Sequence, residues 1–313
     1  MDIDDLLDPE LAAALAAMPP FGPITADNLP QIRAQRALLL QDVELSDAVE
    51  RTDHTFPGLA GGPEVTVRVH RPKKGDGPLP CIYWVHGGGY IIGSYEMEDL
   101  RFDRWCQSLN CVGVAVEYRL APETPYPGPL DDCYAGLLRT FEHAEELGID
   151  RERLGIGGAS AGGGLAAGLA LLARDRGEVP VAFQLLVYPM IDDRMETVSS
   201  SWDVPVWPPA SNRFGWDSYL GNLAGGKAPA YAVPARATDL AGLPPAFIMV
   251  GTLDGFHDED VAYAQRLNHA SVHCELHVYP GAPHGFDGFV PDARISKAAR
   301  RTMREWLARR MER

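Results

Sequence analysis

The chain has 313 residues, of which 46% are hydrophobic and 23% are charged, so it can build one large core or two modest ones. Its 43 acidic and 28 basic residues give a net charge of −15. This charge opposes non-specific attraction to nucleic acid and to anionic membranes, and we expect neither as a partner.

The ends of the chain and its cysteines predict a cytoplasmic protein. The first 20 residues are acidic where a signal peptide would be basic, and no apolar run approaches the roughly 20 residues of a spanning helix. The basic segment 297–313 has apolar residues at helical spacing, which indicates a solvated amphipathic helix rather than a membrane anchor. Five cysteines without a C-x-x-C pair favour free thiols in a reducing compartment over disulfides or zinc ligands.

Helical and strand patterns alternate along most of the chain. Helices are predicted over residues 3–18, 29–43, 131–147, 161–175, 258–270 and 297–313. Strands are predicted over residues 64–70, 81–85, 111–118, 153–158, 182–189, 246–251 and 275–280. Apolar strands that alternate with helices indicate an α/β protein with a mostly parallel sheet covered on both faces.

Residues 192–230 interrupt this alternation, because they are rich in serine, proline and aromatic side chains and too long for an ordinary loop. We interpret this segment, together with the N-terminal helices in residues 1–45, as a cap over an active site. The catalytic domain would then comprise residues 46–191 and 231–313.

Ser160 lies in a G-x-S-x-G pattern, residues 158–162, between a predicted strand and a predicted helix. The flanking glycines permit a turn tight enough to expose the hydroxyl, and the helix N-terminus offers free N–H groups to negative charge. No lysine follows these glycines as a phosphate-binding loop would require. The glycines nearly fit the dinucleotide pattern G-x-G-x-x-G, which usually lies in a first βα unit. A nucleophilic serine is favoured, with a purely structural turn as the alternative.

Three consecutive glycines follow His86, directly after the predicted strand at residues 81–85. Glycines leave backbone N–H groups unobstructed, and such donors stabilise an oxyanion. The position of this run ahead of the G-x-S-x-G pattern favours an oxyanion hole over a flexible loop. We predict that the N–H groups of Gly87, Gly88 and Ala161 form the hole.

Five motifs occur in a fixed order from about residue 65 to the C-terminus: HGGGY, EYRLAPE, GGASAGGG, LVYP and PGAPHGF. With them the sequence resembles the hormone-sensitive-lipase-like carboxylesterases, the bacterial family IV of the α/β-hydrolase superfamily. The resemblance implies an α/β-hydrolase fold with a helical cap, no cofactor and no metal. It also implies a serine carboxylesterase that takes a small-molecule ester with a short- to medium-chain acyl group.

The resemblance assigns the nucleophile to Ser160, the acid to Asp254 and the base to His284, the last two in loops after predicted strands. A neutral imidazole would accept the serine proton, and Asp254 would fix its tautomer and stabilise the imidazolium. Water activated by His284 would then hydrolyse an acyl-enzyme on Ser160. Three further acids at residues 258–260 are interpreted as the acidic first turn of a helix.

Other histidines suggest weaker interpretations. His269, His273 and His277 have a spacing that would suit a metal site on a helix, but residues 272–278 alternate like a strand. We therefore expect no metal there. His257 is interpreted as a bystander beside the acid rather than as a second base.

The sequence departs from the family pattern at two places. Ala159 precedes the serine where most relatives carry an acidic residue, which leaves open how the turn is hydrogen-bonded from behind. Gly255 and Phe256 replace a Pro-Leu pair after the acid, a change that would loosen that loop. Neither departure removes a reacting group.

Two other functions stay open on sequence grounds. An acyltransferase or an amidase could use the same triad, and a non-catalytic ligand receptor could use the same scaffold, although the presence of His284 argues against the receptor. The resemblance also implies a homodimer through the strand at residues 275–280, where an exposed sheet edge would offer unpaired backbone groups.

Overall fold

A computed structural model describes residues 6–19, 22–40, 43–59 and 61–312. The strands of its single sheet are β1 (Val49–Phe56), β2 (Val65–Pro72), β3 (Leu79–Val85), β4 (Val112–Glu117), β5 (Ile149–Ala159), β6 (Gln184–Val187), β7 (Ala246–Leu253) and β8 (Cys274–Pro283). The helices are α1 (Pro9–Ala16), α2 (Leu29–Leu39), α3 (Asp99–Leu109), α4 (Gly128–Glu142), α5 (Ala161–Arg176), α6 (Pro209–Leu220), α7 (His257–His269), α8 (Phe286–Phe289) and α9 (Arg294–Met311).

The sheet is mostly parallel, as predicted. Its strand order is β1-β2-β4-β3-β5-β6-β7-β8, with antiparallel pairing only at the β1–β2 and β2–β4 steps. All other neighbours pair in parallel, so the carboxyl ends of β3 and β5 to β8 lie at the same edge of the sheet. The loops that leave this edge carry every predicted catalytic residue, which is where open α/β sheets bind ligands.

Helices cover both faces of the sheet, and the side chains of β3 show why. Successive side chains of a strand point to opposite faces. Tyr83 and Val85 are buried in the cluster that α4, α5 and α7 cover, whereas Ile82 and Trp84 are buried in the cluster that α3 and α9 cover. A strand buried on both sides must be apolar throughout, and this accounts for the continuous hydrophobic run that predicted it.

The N-terminal helices are shorter than predicted. Helix α1 begins at Pro9 because Asp8 caps it, with one carboxylate oxygen accepting from the N–H groups of Glu10 at 2.9 Å and Leu11 at 3.2 Å. The predicted start at residues 3–5 lies outside the described residues. Helix α2 ends at Leu39, and residues 41–42 of its predicted extent are also outside them.

Four elements were not predicted: strand β1 and helices α3, α6 and α8. Helix α6 lies inside the segment 192–230, so that segment contains regular structure. The same segment contacts the N-terminal region, since the backbone N–H of Ile24 donates to the Ser211 hydroxyl of α6 at 2.9 Å. The two regions interpreted as a cap are therefore joined to each other.

The C-terminal helix and the cysteines can be compared directly with the sequence pattern. Helix α9 is amphipathic as predicted, and its residues Met303, Trp306, Leu307 and Met311 are buried against the sheet. Within the described ranges no helix combines the length and the apolar character needed to cross a membrane. All five cysteines are free thiols, and Cys274 is the only one of them that is not fully buried.

Candidate active site

Ser160 occupies the sharp turn between β5 and α5. Its backbone has φ 57° and ψ −124°, a conformation that costs a residue with a side chain about 1–3 kcal/mol. The turn is held from behind by backbone hydrogen bonds, with the Ser160 N–H donating to Val187 at 2.9 Å and its carbonyl accepting from Met190 at 2.9 Å. Ala159 is buried in apolar surroundings, so backbone groups do what a polar residue before the serine would do.

The two glycines of the G-x-S-x-G pattern are required by close packing. A Cβ atom on Gly158 would lie 2.2 Å from the Gly162 carbonyl oxygen, and one on Gly162 would lie 2.1 Å from the Val85 carbonyl oxygen. Both distances are far shorter than a van der Waals contact, and the backbone oxygens concerned cannot move aside. The turn can therefore press against the end of β3 only with glycine at both positions.

The three residues predicted as a triad meet in one hydrogen-bonded chain. Nε2 of His284 lies 2.9 Å from the Ser160 Oγ, and Nδ1 of His284 lies 2.8 Å from an oxygen of Asp254. All three are buried, with exposed fractions of 7% for Ser160, 5% for His284 and 1% for Asp254. Because a carboxylate can only accept, Nδ1 carries the proton and Nε2 is free to accept one from the serine.

Asp254 is fixed by a second hydrogen bond. The backbone N–H of Phe256 donates to its other oxygen at 3.0 Å, so both carboxylate oxygens are committed. The Gly255-Phe256 pair thus forms a tight turn on the acid and does not loosen the loop as the sequence suggested.

Aromatic rings surround the imidazole. Phe256 and Tyr188 present edges to the His284 ring, at centroid distances of 5.0 and 4.8 Å, and Trp207 lies 6.5 Å away. The hydroxyl of Tyr188 donates to Asp287 at 2.9 Å, which fixes its ring. Sequence reasoning gave none of these three residues a role beside the base, although the LVYP motif contains Tyr188 and the segment 192–230 contains Trp207.

The predicted oxyanion residues adjoin the serine. A Cβ on Gly87 would lie 2.7 Å from the Ala159 carbonyl oxygen and 3.4 Å from the Ser160 Cβ, so the glycine loop passes directly beside the nucleophile. In the described part of the chain, the N–H groups of Gly87, Gly88 and Ala161 donate to no acceptor. Three unpaired donors beside a serine hydroxyl can receive the negative charge of a tetrahedral intermediate.

The neighbouring acids have other partners. All three lie in the first turn of α7 as predicted. Asp258 accepts from the Ser199 N–H at 3.0 Å, and Glu259 accepts from the N–H of Ile191 at 3.1 Å. Asp260 is fully buried, and neither of its oxygens has a hydrogen-bond partner among the described residues. Burial raises the pKa of both Glu259 and Asp260 well above the usual range of a carboxyl group.

His277 and His257, which the sequence analysis also singled out, have local partners. His277 lies on β8, where its Nε2 is 2.8 Å from Glu275, and His257 lies 2.9 Å from Asp258. Across the described ranges, His, Cys, Asp and Glu side chains form no group of three or more that could hold a metal ion.

Comparison with known proteins agrees with the fold. Residues 82–288 match a family model described as the alpha/beta hydrolase fold. Among curated proteins, the chain is 32% identical to esterase LipI of Mycobacterium tuberculosis, over 91% of this chain and 89% of the relative. It is 34% identical to carboxylesterase NlhH of the same species, over 90% of each chain.

Solved structures are similar over the whole chain. A bacterial heroin esterase superposes with a TM-score of 0.94 at 43% identity, covering 100% of both chains. Esterase LipW from Mycobacterium marinum superposes with a TM-score of 0.89 at 36% identity, covering 99% of this chain and 98% of the other. The chain therefore belongs to the alpha/beta hydrolase family and, within it, to the hormone-sensitive-lipase-like carboxylic ester hydrolases.

Proposed function

We propose that the protein is a serine carboxylesterase that forms an acyl-enzyme on Ser160. The observation that supports this most directly is the buried chain from Ser160 through His284 to Asp254, with both hydrogen bonds within 2.9 Å. Reaction partners already at hydrogen-bond distance need no reorganisation before proton transfer.

In acylation, the Ser160 Oγ attacks the carbonyl carbon of the ester while its proton passes to Nε2 of His284. The resulting oxyanion is stabilised by the N–H groups of Gly87, Gly88 and Ala161. The bond to the alcohol oxygen then breaks, and the alcohol leaves with the proton from His284. Asp254 stabilises the imidazolium during these steps and keeps its own charge.

In deacylation, water replaces the alcohol. His284 accepts a proton from the water as its oxygen attacks the acyl carbon, and the same N–H groups receive the second oxyanion. The bond to Ser160 breaks, the serine recovers a proton from His284, and the carboxylic acid is released. Each oxyanion donor is expected to be worth about 100- to 1000-fold in rate.

The close packing of aromatic side chains near the base supports a preference for short to medium acyl chains. The indole ring of Trp207 packs directly against Gly89, where a Cβ would be only 2.2 Å from a ring carbon. The cavity that this side chain lines together with Trp202 and Phe256 measures about 10 Å³, room for at most one water molecule. A long acyl chain would have to displace aromatic side chains that a short one leaves in place.

We also propose that residues 1–45 and 192–230 act as the cap. The contact of Ile24 with α6 and the position of Trp207 near His284 support this division. The buried free thiols support the cytoplasm as the compartment.

A homodimer through β8 is a further proposal. Among the described residues β8 pairs with β7 alone, so its outer edge carries unpaired backbone groups. Light scattering of the purified chain tests this, and a monomeric mass would contradict it.

Hydrolysis of p-nitrophenyl esters from acetate to laurate tests the proposed activity. We expect a maximum at short chains for the wild type and a loss on the order of 10⁶ in kcat for Ser160→Ala. Ser108→Ala, which removes an exposed hydroxyl on α3, is the matched control and should leave kcat unchanged. Full activity in Ser160→Ala would disprove the mechanism, and a maximum at laurate would disprove the chain-length preference.

A further inference from the structure

We propose that Arg33, on the N-terminal helix α2, is a positioning residue for the oxyanion hole. This inference rests on the proposed function, because it assigns Arg33 a part in aligning the glycine loop with the Ser160 nucleophile. It gives the N-terminal region a role in the chemical step in addition to covering the site.

The guanidinium of Arg33 reaches the glycine loop directly. Its Nε donates to the carbonyl oxygen of Ile91 at 2.8 Å, and its Nη2 donates to the carbonyl oxygen of Ala121 at 2.8 Å. The outer nitrogens also form a two-pronged pair with Glu123, at 2.7 and 2.9 Å. One side chain from residue 33 therefore holds two loops that lie far from it in sequence.

Ile91 belongs to the same turn as the predicted oxyanion donor Gly88. The carbonyl of Gly88 accepts from the N–H groups of Ile91 at 3.1 Å and Ile92 at 2.9 Å. Gly88 has φ +120°, and a Cβ there would lie 2.0 Å from the Ile92 carbonyl oxygen. Because the Gly88 carbonyl is bonded to the N–H groups of Ile91 and Ile92, a displacement of Ile91 should also displace Gly88.

The other side of this turn is tied to the nucleophile. The Tyr90 hydroxyl donates to the Met190 carbonyl at 2.8 Å, and the Met190 N–H donates to the Ser160 carbonyl at 2.9 Å. The Tyr90 carbonyl accepts from the N–H of Ala121 at 3.0 Å, and Ala121 is the second residue whose carbonyl binds Arg33. The glycine loop is thus held between Ser160 on one side and Arg33 on the other.

Arginine suits this position because its planar guanidinium can bind several oxygens in fixed directions, which a lysine ammonium cannot do. The two bonds to carbonyl groups are charge-assisted and part-buried. The Glu123 side chain, in contrast, is 62% exposed, so its ion pair with Arg33 contributes little. The bonds to Ile91 and Ala121 should therefore carry the positioning effect.

Steady-state kinetics with p-nitrophenyl acetate test the proposal. We expect Arg33→Ala to lower kcat about tenfold with KM changed by less than about twofold, because a displaced donor weakens the transition state more than substrate binding. Arg33→Lys should show a smaller loss and Glu123→Gln almost none. Added guanidinium ion at low millimolar concentration should restore part of the kcat of Arg33→Ala and leave the wild type unchanged.

Arg294→Ala is the matched control, since it breaks an exposed pair with Glu10 of α1 and does not touch the glycine loop. It should keep the wild-type kcat, and thermal unfolding should show that all variants are folded. If Arg33→Ala does not fold, the comparison of Arg33→Lys with Arg294→Ala decides.

An unchanged kcat in Arg33→Ala, an equal loss in Arg294→Ala, or a rise in KM without a fall in kcat would overturn the inference while the proposed function stands. A wild type that hydrolyses no ester would overturn both.

Discussion

Replacing Asp254 by asparagine should disable the base without removing any contact of the triad. Asp254 is 1% exposed, and its two oxygens face different donors, Nδ1–H of His284 at 2.8 Å and the N–H of Phe256 at 3.0 Å. An asparagine has one oxygen and one NH₂ group. The backbone N–H of Phe256 can only donate, so it takes the amide oxygen and leaves the NH₂ group facing His284.

His284 must then accept that hydrogen bond on Nδ1 and carry its own proton on Nε2. In that tautomer Nε2 cannot accept the proton of Ser160, which lies 2.9 Å away. A base held in the wrong tautomer is expected to cost on the order of 10⁴ in kcat, with little change in KM. The assay is hydrolysis of p-nitrophenyl acetate by Asp254→Asn. Asp258→Asn is the control, because the Asp258 carboxylate binds the Ser199 N–H and does not contact His284. A kcat within tenfold of the wild type would refute the tautomer argument.

Three further predictions follow from neighbouring contacts. Trp207→Ala should enlarge the small cavity that Trp207 lines with Trp202 and Phe256, because it removes the indole ring that lies 6.5 Å from the His284 ring. The ratio of kcat/KM for p-nitrophenyl octanoate to that for acetate should then rise several-fold or more, and an unchanged ratio would exclude Trp207 as the limiting wall. Asp260→Asn should stabilise the protein at neutral pH, because burial raises the pKa of the Asp260 carboxyl when the chain is folded. The folded state then binds more protons than the unfolded one above about pH 4, so wild-type stability falls as pH rises. Urea unfolding should give the wild type and Asp260→Asn equal free energies of unfolding near pH 4. At pH 7 the free energy of unfolding of the variant should be higher by about 1 kcal/mol or more. A variant that is less stable than the wild type at pH 7 would contradict this. Gly162→Ala should abolish activity and strongly destabilise the fold, because the new Cβ would lie 2.1 Å from the Val85 carbonyl oxygen. Thermal unfolding and ester hydrolysis measure the two effects, and a variant that is both folded and active would contradict the close packing.

The strands at the centre of the sheet could be predicted because a strand buried on both faces is a continuous apolar run in the sequence. Strand β1 could not, since its sequence VERTDHTF is mostly polar and only Val49 of it is buried. It is a strand because every residue of it pairs with β2, and such long-range pairing is invisible to local patterns.

The reacting groups were predictable and their surroundings were not. Ser160 and the glycines lie in motifs whose spacing reflects a local need for tight turns. The rings around His284 come from separate parts of the chain, for example Tyr188 and Phe256, and only the fold brings them together. The same holds for Arg33, which lies 58 residues from its partner Ile91.

Burial also changed the interpretation of the acids in α7. Three acids at a helix N-terminus are stabilised by the helix dipole, and the sequence pattern indicates no more than that. The structure shows Asp260 fully buried and without a hydrogen-bond partner in the described residues. The sequence does not reveal which side of a helix meets the sheet when the apolar pattern is weak.

The proposed mechanism depends on one covalent event, the transfer of an acyl group to Ser160. It is tested most directly by quenching the enzyme with acid during turnover of p-nitrophenyl acetate and measuring the mass of its proteolytic peptides. We expect one added acetyl group on the peptide that contains Ser160, and none on that peptide from Ser160→Ala. An enzyme that turns over the ester with an unmodified Ser160 peptide, or with the acetyl group on another residue, would contradict it.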